Sequence, residues 1–425
     1  MITHFLNRNR ITLLSFVALF LISNVTLYSI FVNSNMMPTY LDVDRKSNGN
    51  TLICTFSFGE VLNYPNRMAN KIPVEPNSTD HKIFEVDRNG NKVWEMIGLA
   101  QPHEIVELAN GHLLIADTGY DRVIEVDYPN KNIVWEWKPE LINWTRVNPN
   151  WSSIHYYNNP FAFDWSHLND VDFQQRGAWN ACLISIRNFD MIVEVNYTAE
   201  KFGPSNNPDN IIWYYGDYGD HSLLHRQHNP DYLSNGNIII ADSENDRIIE
   251  VNYTTKNVEW IYQGNLEWPR DADEMPNGNL LITDSLGSRV IQINKESKEI
   301  VWQYKGDLIN PYEADLLENG NVLIGNGIGG VVYEINPDGV IVWRYGLSYL
   351  KSVVYLNCII SILMGVLFLF FTYTKIRTIN AVRGKNIKNY VIVGILIGFI
   401  TISIIILLTY TSITILIFRL LFSSR

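Results

Sequence analysis

HEIVELANGHLLIADTGYDRVIEVD (residues 103–127), HNPDYLSNGNIIIADSENDRIIEVN (228–252) and RDADEMPNGNLLITDSLGSRVIQIN (270–294) are three copies of one unit. Each alternates apolar and polar positions, turns at Asn-Gly and is followed by an aromatic strand: VWEW, VEWIY or VWQY. A repeat of about 40 residues with hairpin turns and a closing aromatic strand is the signature of propeller blades. Six aromatic strands carry Trp94, Trp135, Trp213, Trp260, Trp302 and Trp343, spaced 41, 78, 47, 42 and 41 residues apart. The long spacing holds an irregular stretch, 138–163, rich in Asn, Pro and aromatics, rather than a seventh blade. A loop of that kind on a rigid scaffold reads as a lid or rim. Smaller expansions fall at 57–80 in the first unit and 200–210 in the third. The fold class expected is all-β, a six-bladed β-propeller over residues 34–348.

Three apolar runs flank it, at 11–32, 352–374 and 390–418, each long enough to cross a bilayer as a helix. The expectation is one N-terminal transmembrane helix (1–33) and a C-terminal hairpin of two transmembrane helices (349–425). An uncleaved signal sequence is the alternative for the first run. Arg8 and Arg10 precede the first run, and Lys375, Arg377, Arg383, Lys385 and Lys388 fill the loop between the last two. The positive-inside tendency places both segments in the cytoplasm, which makes a multi-pass protein of the cell membrane with an extracytoplasmic propeller. Sequons at Asn77, Asn143, Asn150, Asn196 and Asn252 agree with that side.

All 44 acidic residues lie within residues 33–350, between the first and second runs, together with 23 of the 33 Lys and Arg. That part is near −21 although the whole chain is −11, which argues against a nucleic-acid partner. An anion site must therefore be built from local side chains. Of the three cysteines, Cys358 lies in an apolar run, and Cys54 and Cys182 fall in different repeat columns, so no disulfide is expected. No cysteine spacing suits a metal, and neither a metal nor a cofactor is expected.

Aligned on the turn, the first position of the unit reads Leu41, His103, Asn169, His228, Arg270 and Tyr312. The position opens the innermost strand of each blade, so its residues should face one another across one end of the central channel. Blade three adds His167, two residues before Asn169 and expected on the same strand face. It also adds Arg187, in LISIRNFD, where other blades carry Thr, Ser or another small residue. The Asp–Arg pairs of IADTGYDR, IADSENDR and ITDSLGSR recur whatever the first column holds, and read as braces within a blade. The Trp column likewise reads as packing.

Two histidines in one column, with a third histidine and an arginine between them, suit transfer of an anionic acyl-like group. A neutral imidazole can carry such a group transiently, while Arg and His neutralise its oxygens. There is no GxxxxGK[ST] loop and no Rossmann fingerprint, so a nucleotide-borne donor has no place to bind.

The strings DWSHLNDVDF (164–173), LISIRNFD (183–190) and RQHNPDYLSNGNIIIADSENDRIIEVN (226–252) resemble the arylsulfotransferase family, the sulfate-ester-dependent kind built on a six-bladed propeller. The similarity spans roughly residues 40–345 and is nearest the archaeal-type members. The resemblance implies ping-pong transfer of a sulfuryl group from an aryl sulfate donor to a phenolic acceptor through a sulfated histidine. It assigns His228 as nucleophile. His167 and Asn169 become sulfuryl contacts, Arg187 the family's arginine and His103 its remaining histidine, while Arg270 and Tyr312 are expected to bind substrate. Pro102 stands where family members often have a further His, and the bacterial members' N-terminal β-sandwich and disulfide are not evident. Two other readings fit the residues: the same pocket acting on lipid- or glycan-linked esters, or a non-catalytic binding propeller.

Overall fold

In the computed structural model the described residues are 38–57, 81–128, 130–155, 164–176, 179–197 and 210–347. Six four-stranded antiparallel sheets, each a meander of consecutive strands, span 38–97, 102–137, 168–216, 228–262, 269–304 and 313–346. They are blades one to six. The innermost strands are Pro38–Arg45, Pro102–Glu107, Leu168–Arg176, His228–Tyr232, Pro269–Glu274 and Glu313–Leu316. Each packs on the innermost strand of the next blade, and the sixth packs on the first, so the ring closes around a central channel. These strands form one compact unit, Pro38–Leu347. The expected six-bladed propeller is what the chain forms.

The Asn-Gly pairs act at the first hairpin of nearly every blade. In blade two, Gly111 N–H donates to Leu108 O at 2.8 Å and Leu108 N–H to His112 O at 2.9 Å, a tight turn followed by a bulge. Gly111 has φ +79°, and a Cβ there would meet nothing within 4 Å, so the backbone angle alone calls for glycine. Asn110 Oδ1 accepts the N–H of His112 at 3.0 Å and stiffens the turn. The second strands, such as Leu113–Asp117 and Ile238–Asp242, are buried throughout because sheets cover both of their faces.

Both repeated columns, the Asp–Arg pairs and the tryptophans, act as joints. Arg122, Arg247 and Arg289 donate from Nε to Asp117, Asp242 and Asp284 at 2.7, 2.6 and 2.5 Å, the braces expected. The aspartates also receive the N–H of Ala100, His225 and Glu267, each at 2.7 Å, which fixes the segment leading into the blade. The tryptophans do more than pack. Trp213, Trp260, Trp302 and Trp343 donate from Nε1 to Tyr253, Lys295, Pro337 and Arg88 carbonyls at 2.7–2.9 Å, each on the following blade.

Residues 138–155 of the long irregular stretch fold into short 3-10 turns and one helical turn, Trp144–Val147, with Trp144 and Trp151 buried. Cys54 and Cys182 are buried free thiols. Among the described residues no helix is long and apolar enough to cross a membrane. The three apolar runs expected to span one lie outside the described residues, as do 58–80, 156–163 and 198–209.

Candidate active site

In five of the six blades the variable column sits in or beside a β-bulge, while Tyr312 directly precedes the regular first strand of blade six. In blade two Pro102 pairs with Asp117 and Glu104 with Ala116, leaving His103 as the extra residue. Asn169 and Arg270 are the extra residues between Leu168 and Asp170 and between Pro269 and Asp271. Blade four shifts between His228 and Pro230, and blade one between Tyr40 and Val43 around Leu41. A bulge releases its residue from the ladder and re-aims its side chain, which turns a packing position into a site position.

A second contributing position was not visible in the repeat. Two residues ahead of the column, Gln101, Arg226, Trp268 and Asn310 all have left-handed backbones, with φ 51°, 48°, 55° and 53°. In blade three that place belongs to His167, φ 45°, just outside a strand that begins at Leu168. The expectation that His167 shares a strand face with Asn169 is therefore corrected: a left-handed kink, not strand alternation, delivers it. Aspartates in matching turns hold these kinks from the preceding blade. Asp121 receives Trp165 and Ser166 N–H at 2.9 and 2.7 Å, Asp190 receives Arg226 N–H at 2.8 Å and Asp246 receives Trp268 N–H at 2.7 Å.

The site residues are buried and close. His103, His167, Asn169, His228, Arg187 and Arg270 are each 6% exposed or less, and Tyr312 is half-buried. The His103 and His167 rings meet edge-on with centroids 5.1 Å apart, and His103 lies 6.1 Å from the Tyr312 ring. Arg270 stacks at 3.4 Å on Tyr312 and at 4.8 Å on Trp268, so Tyr312 supports the guanidinium. Trp268 also meets His228 edge-on at 5.6 Å. In blade one the column holds Leu41, which is apolar and has no exposure.

Hydrogen bonds fix the histidine tautomers. His228 Nδ1 lies 2.6 Å from Ser243 Oγ, and that hydroxyl lies 2.6 Å from the Pro269 carbonyl. A carbonyl only accepts, so Ser243 donates to it and takes the Nδ1 proton bond of His228. The lone pair of His228 is therefore on Nε2, which is buried without a hydrogen-bond partner. His103 Nδ1 bonds the Gln101 carbonyl at 2.8 Å and His167 Nδ1 bonds the Asp164 carboxylate at 2.8 Å, which orients those rings similarly. Asn169 donates to Gln227 O at 3.2 Å and leaves its own Oδ1 without a partner.

Burial holds all three imidazoles well below their usual range. For His228 the cations Arg270 and Arg187 act in the same direction, followed by His167 and His103. His167 adds to the burial effect at His103, and Arg187 adds to it at His167. The pocket thus keeps neutral imidazoles beside two guanidiniums, with Arg270 itself pulled to about 10 by burial. Ser243, Asp164, Gln227 and Trp268 are supporting residues that the sequence reading missed. Ser243 was in plain view as the small residue opening the turn, where Arg187 stands in blade three.

Residues 77–223 match the sequence model of the family described as Arylsulfotransferase (ASST), which bears out the resemblance and supports sulfotransferase chemistry at the level of that family. No curated protein matches the chain. Among solved structures, the chain is similar to a protein of unknown function from Bacteroides caccae at 14% identity, TM-score 0.43, over 64% of this chain and 91% of that one. A streptogramin B lyase matches at 14% identity, TM-score 0.45, over 73% and 83%. The virginiamycin B lyase of Staphylococcus aureus matches at 12% identity, TM-score 0.45, over 75% and 86%.

Proposed function

We propose that this propeller transfers a sulfuryl group from a phenolic sulfate ester to a phenol-type acceptor, with His228 Nε2 as the nucleophile. The observation carrying the reading is the division of labour on that ring. Nδ1–H is committed to Ser243, while Nε2 is buried, unprotonated and without a partner. In the first step Nε2 attacks sulfur, an S–N bond forms and the S–O bond to the aryl group breaks, releasing phenolate. In the second, the acceptor oxygen attacks sulfur, the S–N bond breaks and the acceptor proton passes to a base. Arg187 and Arg270 neutralise the sulfuryl oxygens as bonding shifts, an effect of about 3–4 kcal/mol for one well-placed donor. His103 and His167, each with the proton on Nδ1, present lone pairs suited to taking the acceptor proton.

The same proposal places the propeller outside a cell membrane, anchored by the three apolar runs. Lys and Arg near those runs support that side. The test incubates the full chain with 4-nitrophenyl sulfate and follows intact mass at neutral or alkaline pH. One added sulfuryl group on a peptide containing His228, discharged by added phenol, is the expected result. Absence of both label and turnover would leave a binding propeller.

A further inference from the structure

The residue after each member of the variable column carries a second pattern that the transfer reaction does not use. It reads Asp42, Glu104, Asp170, Asn229, Asp271 and Glu313 around the channel. Two residues further along stand Asp44, Asp172, Asp231, Asp273 and Asp315. The channel below a pocket of arginines and histidines is thus walled with carboxyls, buried at Asp42, Glu104, Asp170, Asp271 and Glu313 and half-buried at the other five.

These carboxyls differ in how well they are satisfied. Asp271 accepts from Asn229 Nδ2 and Thr283 Oγ1 at 3.2 and 3.3 Å and from Ala314 N–H at 3.2 Å, so both its oxygens are used. Asp42 has no exposure, and only its Oδ2 has a donor, the Ile105 N–H. Its Oδ1 has no partner. Asp170, 3% exposed and beside Glu104, also leaves its Oδ1 without a partner. Both orphaned oxygens belong to the side of the channel where Asp42, Glu104 and Glu313, each 9% exposed or less, bring one oxygen apiece within 4.8 Å of one another.

We propose that Asp42, Glu104 and Glu313 bind a calcium ion in the central channel, one residue deeper than the His228 pocket. An all-carboxylate donor set selects a hard divalent cation. Calcium–oxygen bonds of 2.3–2.6 Å let one ion join oxygens up to about 5 Å apart, so three oxygens that all lie within 4.8 Å of one another can share one ion. Magnesium demands a near-ideal octahedron and gives up its waters reluctantly, which suits a buried three-carboxylate site less well than calcium's flexible coordination. Burial otherwise pushes all three carboxyls well up; Asp42 adds to it at Glu104 and Glu313, and Asp44 and Asp315 add to it at Asp42, so an ion replaces shared protons as the counter-charge. The three ligands come from blades one, two and six and adjoin Leu41, His103 and Tyr312. The ion therefore ties the seam where the ring closes to one wall of the pocket.

The test is a calcium titration of the chelator-treated full chain, read by calorimetry and by Tm. Saturable binding with a Tm that climbs with calcium concentration is expected, with a weaker response to magnesium. Glu104→Gln and Glu313→Gln should each weaken calcium binding at least tenfold and flatten the Tm response, while the calcium-free fold persists by circular dichroism. Asp42→Asn is avoided because Asp42 also holds Ile105. No calcium-dependent heat or Tm change in the unmodified chain would overturn the site. So would unchanged affinity in both Gln variants, since the ion would then sit elsewhere. Sulfate-transfer activity is not the readout, so failure of this site and failure of the proposed reaction are separable.

Discussion

Blades three and four solve the same turn in opposite ways. In blade four the turn runs Asp242-Ser243-Glu244-Asn245-Asp246-Arg247, with the Asp242–Arg247 brace at 2.6 Å and Ser243 holding His228. In blade three it runs Ile186-Arg187-Asn188-Phe189-Asp190-Met191, and both brace positions are apolar with no exposure. The lost ion pair is replaced by aromatic packing. Trp144 of the irregular stretch and Trp165 meet Phe189 edge-on at 5.6 and 4.8 Å. Asn188 adds donations to the Asp164 and Trp165 carbonyls at 3.4 and 3.3 Å. A buried, braced carboxylate beside Arg187 would compete for its charge. With the brace exchanged for rings, Arg187 makes its bond on this turn to a neutral amide, donating from Nη1 to Asn188 Oδ1 at 3.2 Å. Aspartate remains where the turn holds the next blade, as Asp190 and Asp246, because that joint is common to both.

The largest break in this contrast comes from blade four. His228→Leu and His228→Asn should lower transfer of sulfate from 4-nitrophenyl sulfate by about 10⁴-fold or more, the order expected when a covalent nucleophile is deleted. The fold should survive, because Leu41 fills the equivalent bulge in blade one. His103→Asn and His167→Asn should keep measurable turnover, since charge stabilisation is shared and nucleophilicity is not. Full activity in His228→Leu would remove the sulfohistidine reading.

Blade three gives the next effect. Arg187→Lys keeps the charge but loses the planar fork, and turnover should fall about 10²–10³-fold. Arg187→Ser makes the turn resemble blade four and should cost at least as much activity with Tm held. A Tm that falls in step with activity would make Arg187 structural. Ser243→Ala is milder. It strands the Nδ1–H of His228, a loss of about 1–3 kcal/mol, or a drop in kcat of about 5- to 150-fold, which Ser243→Thr should restore.

Much of this contrast was legible in the sequence, and the unread part has a physical cause. The blades, their order and the variable column followed from apolar alternation and Asn-Gly turns, because sheet burial imposes a period of two. Arg187 stood out as a charge in a column of small residues. The bulges did not, since one extra residue changes no composition. The left-handed kinks were also hidden: Gln101, His167, Arg226, Trp268 and Asn310 share a backbone angle and no side-chain chemistry. The acidic column was readable in principle, one residue past the variable one, but in a chain with 44 acidic residues it entered only the count of net charge.

The smallest expected effect is on pH dependence. Attack requires the Nε2 lone pair, hence a neutral His228. Burial first, then Arg270, Arg187, His167 and His103, hold its imidazole well below the ordinary 6.5. Neutral imidazole thus persists as pH falls through 6.5, and the acid limb of kcat/KM should lie below that value. Removing a cationic neighbour by Arg187→Gln weakens one downward push, so the limb of the residual activity should move up toward 6.5. Because burial remains the larger cause, the variant's relative activity at pH 6 against pH 7.5 should change by less than about tenfold. Stability runs in the same direction. The unfolded chain takes up a proton at 6.5 that folded His228 refuses, so acid destabilises the protein below that pH. Tm must therefore be followed beside rate, and only a loss of rate with Tm intact reports the nucleophile. An acid limb at or above 6.5 in the unmodified protein would mean a solvated imidazole, and the contrast between a held nucleophile in blade four and a cation in blade three would lose its chemical meaning.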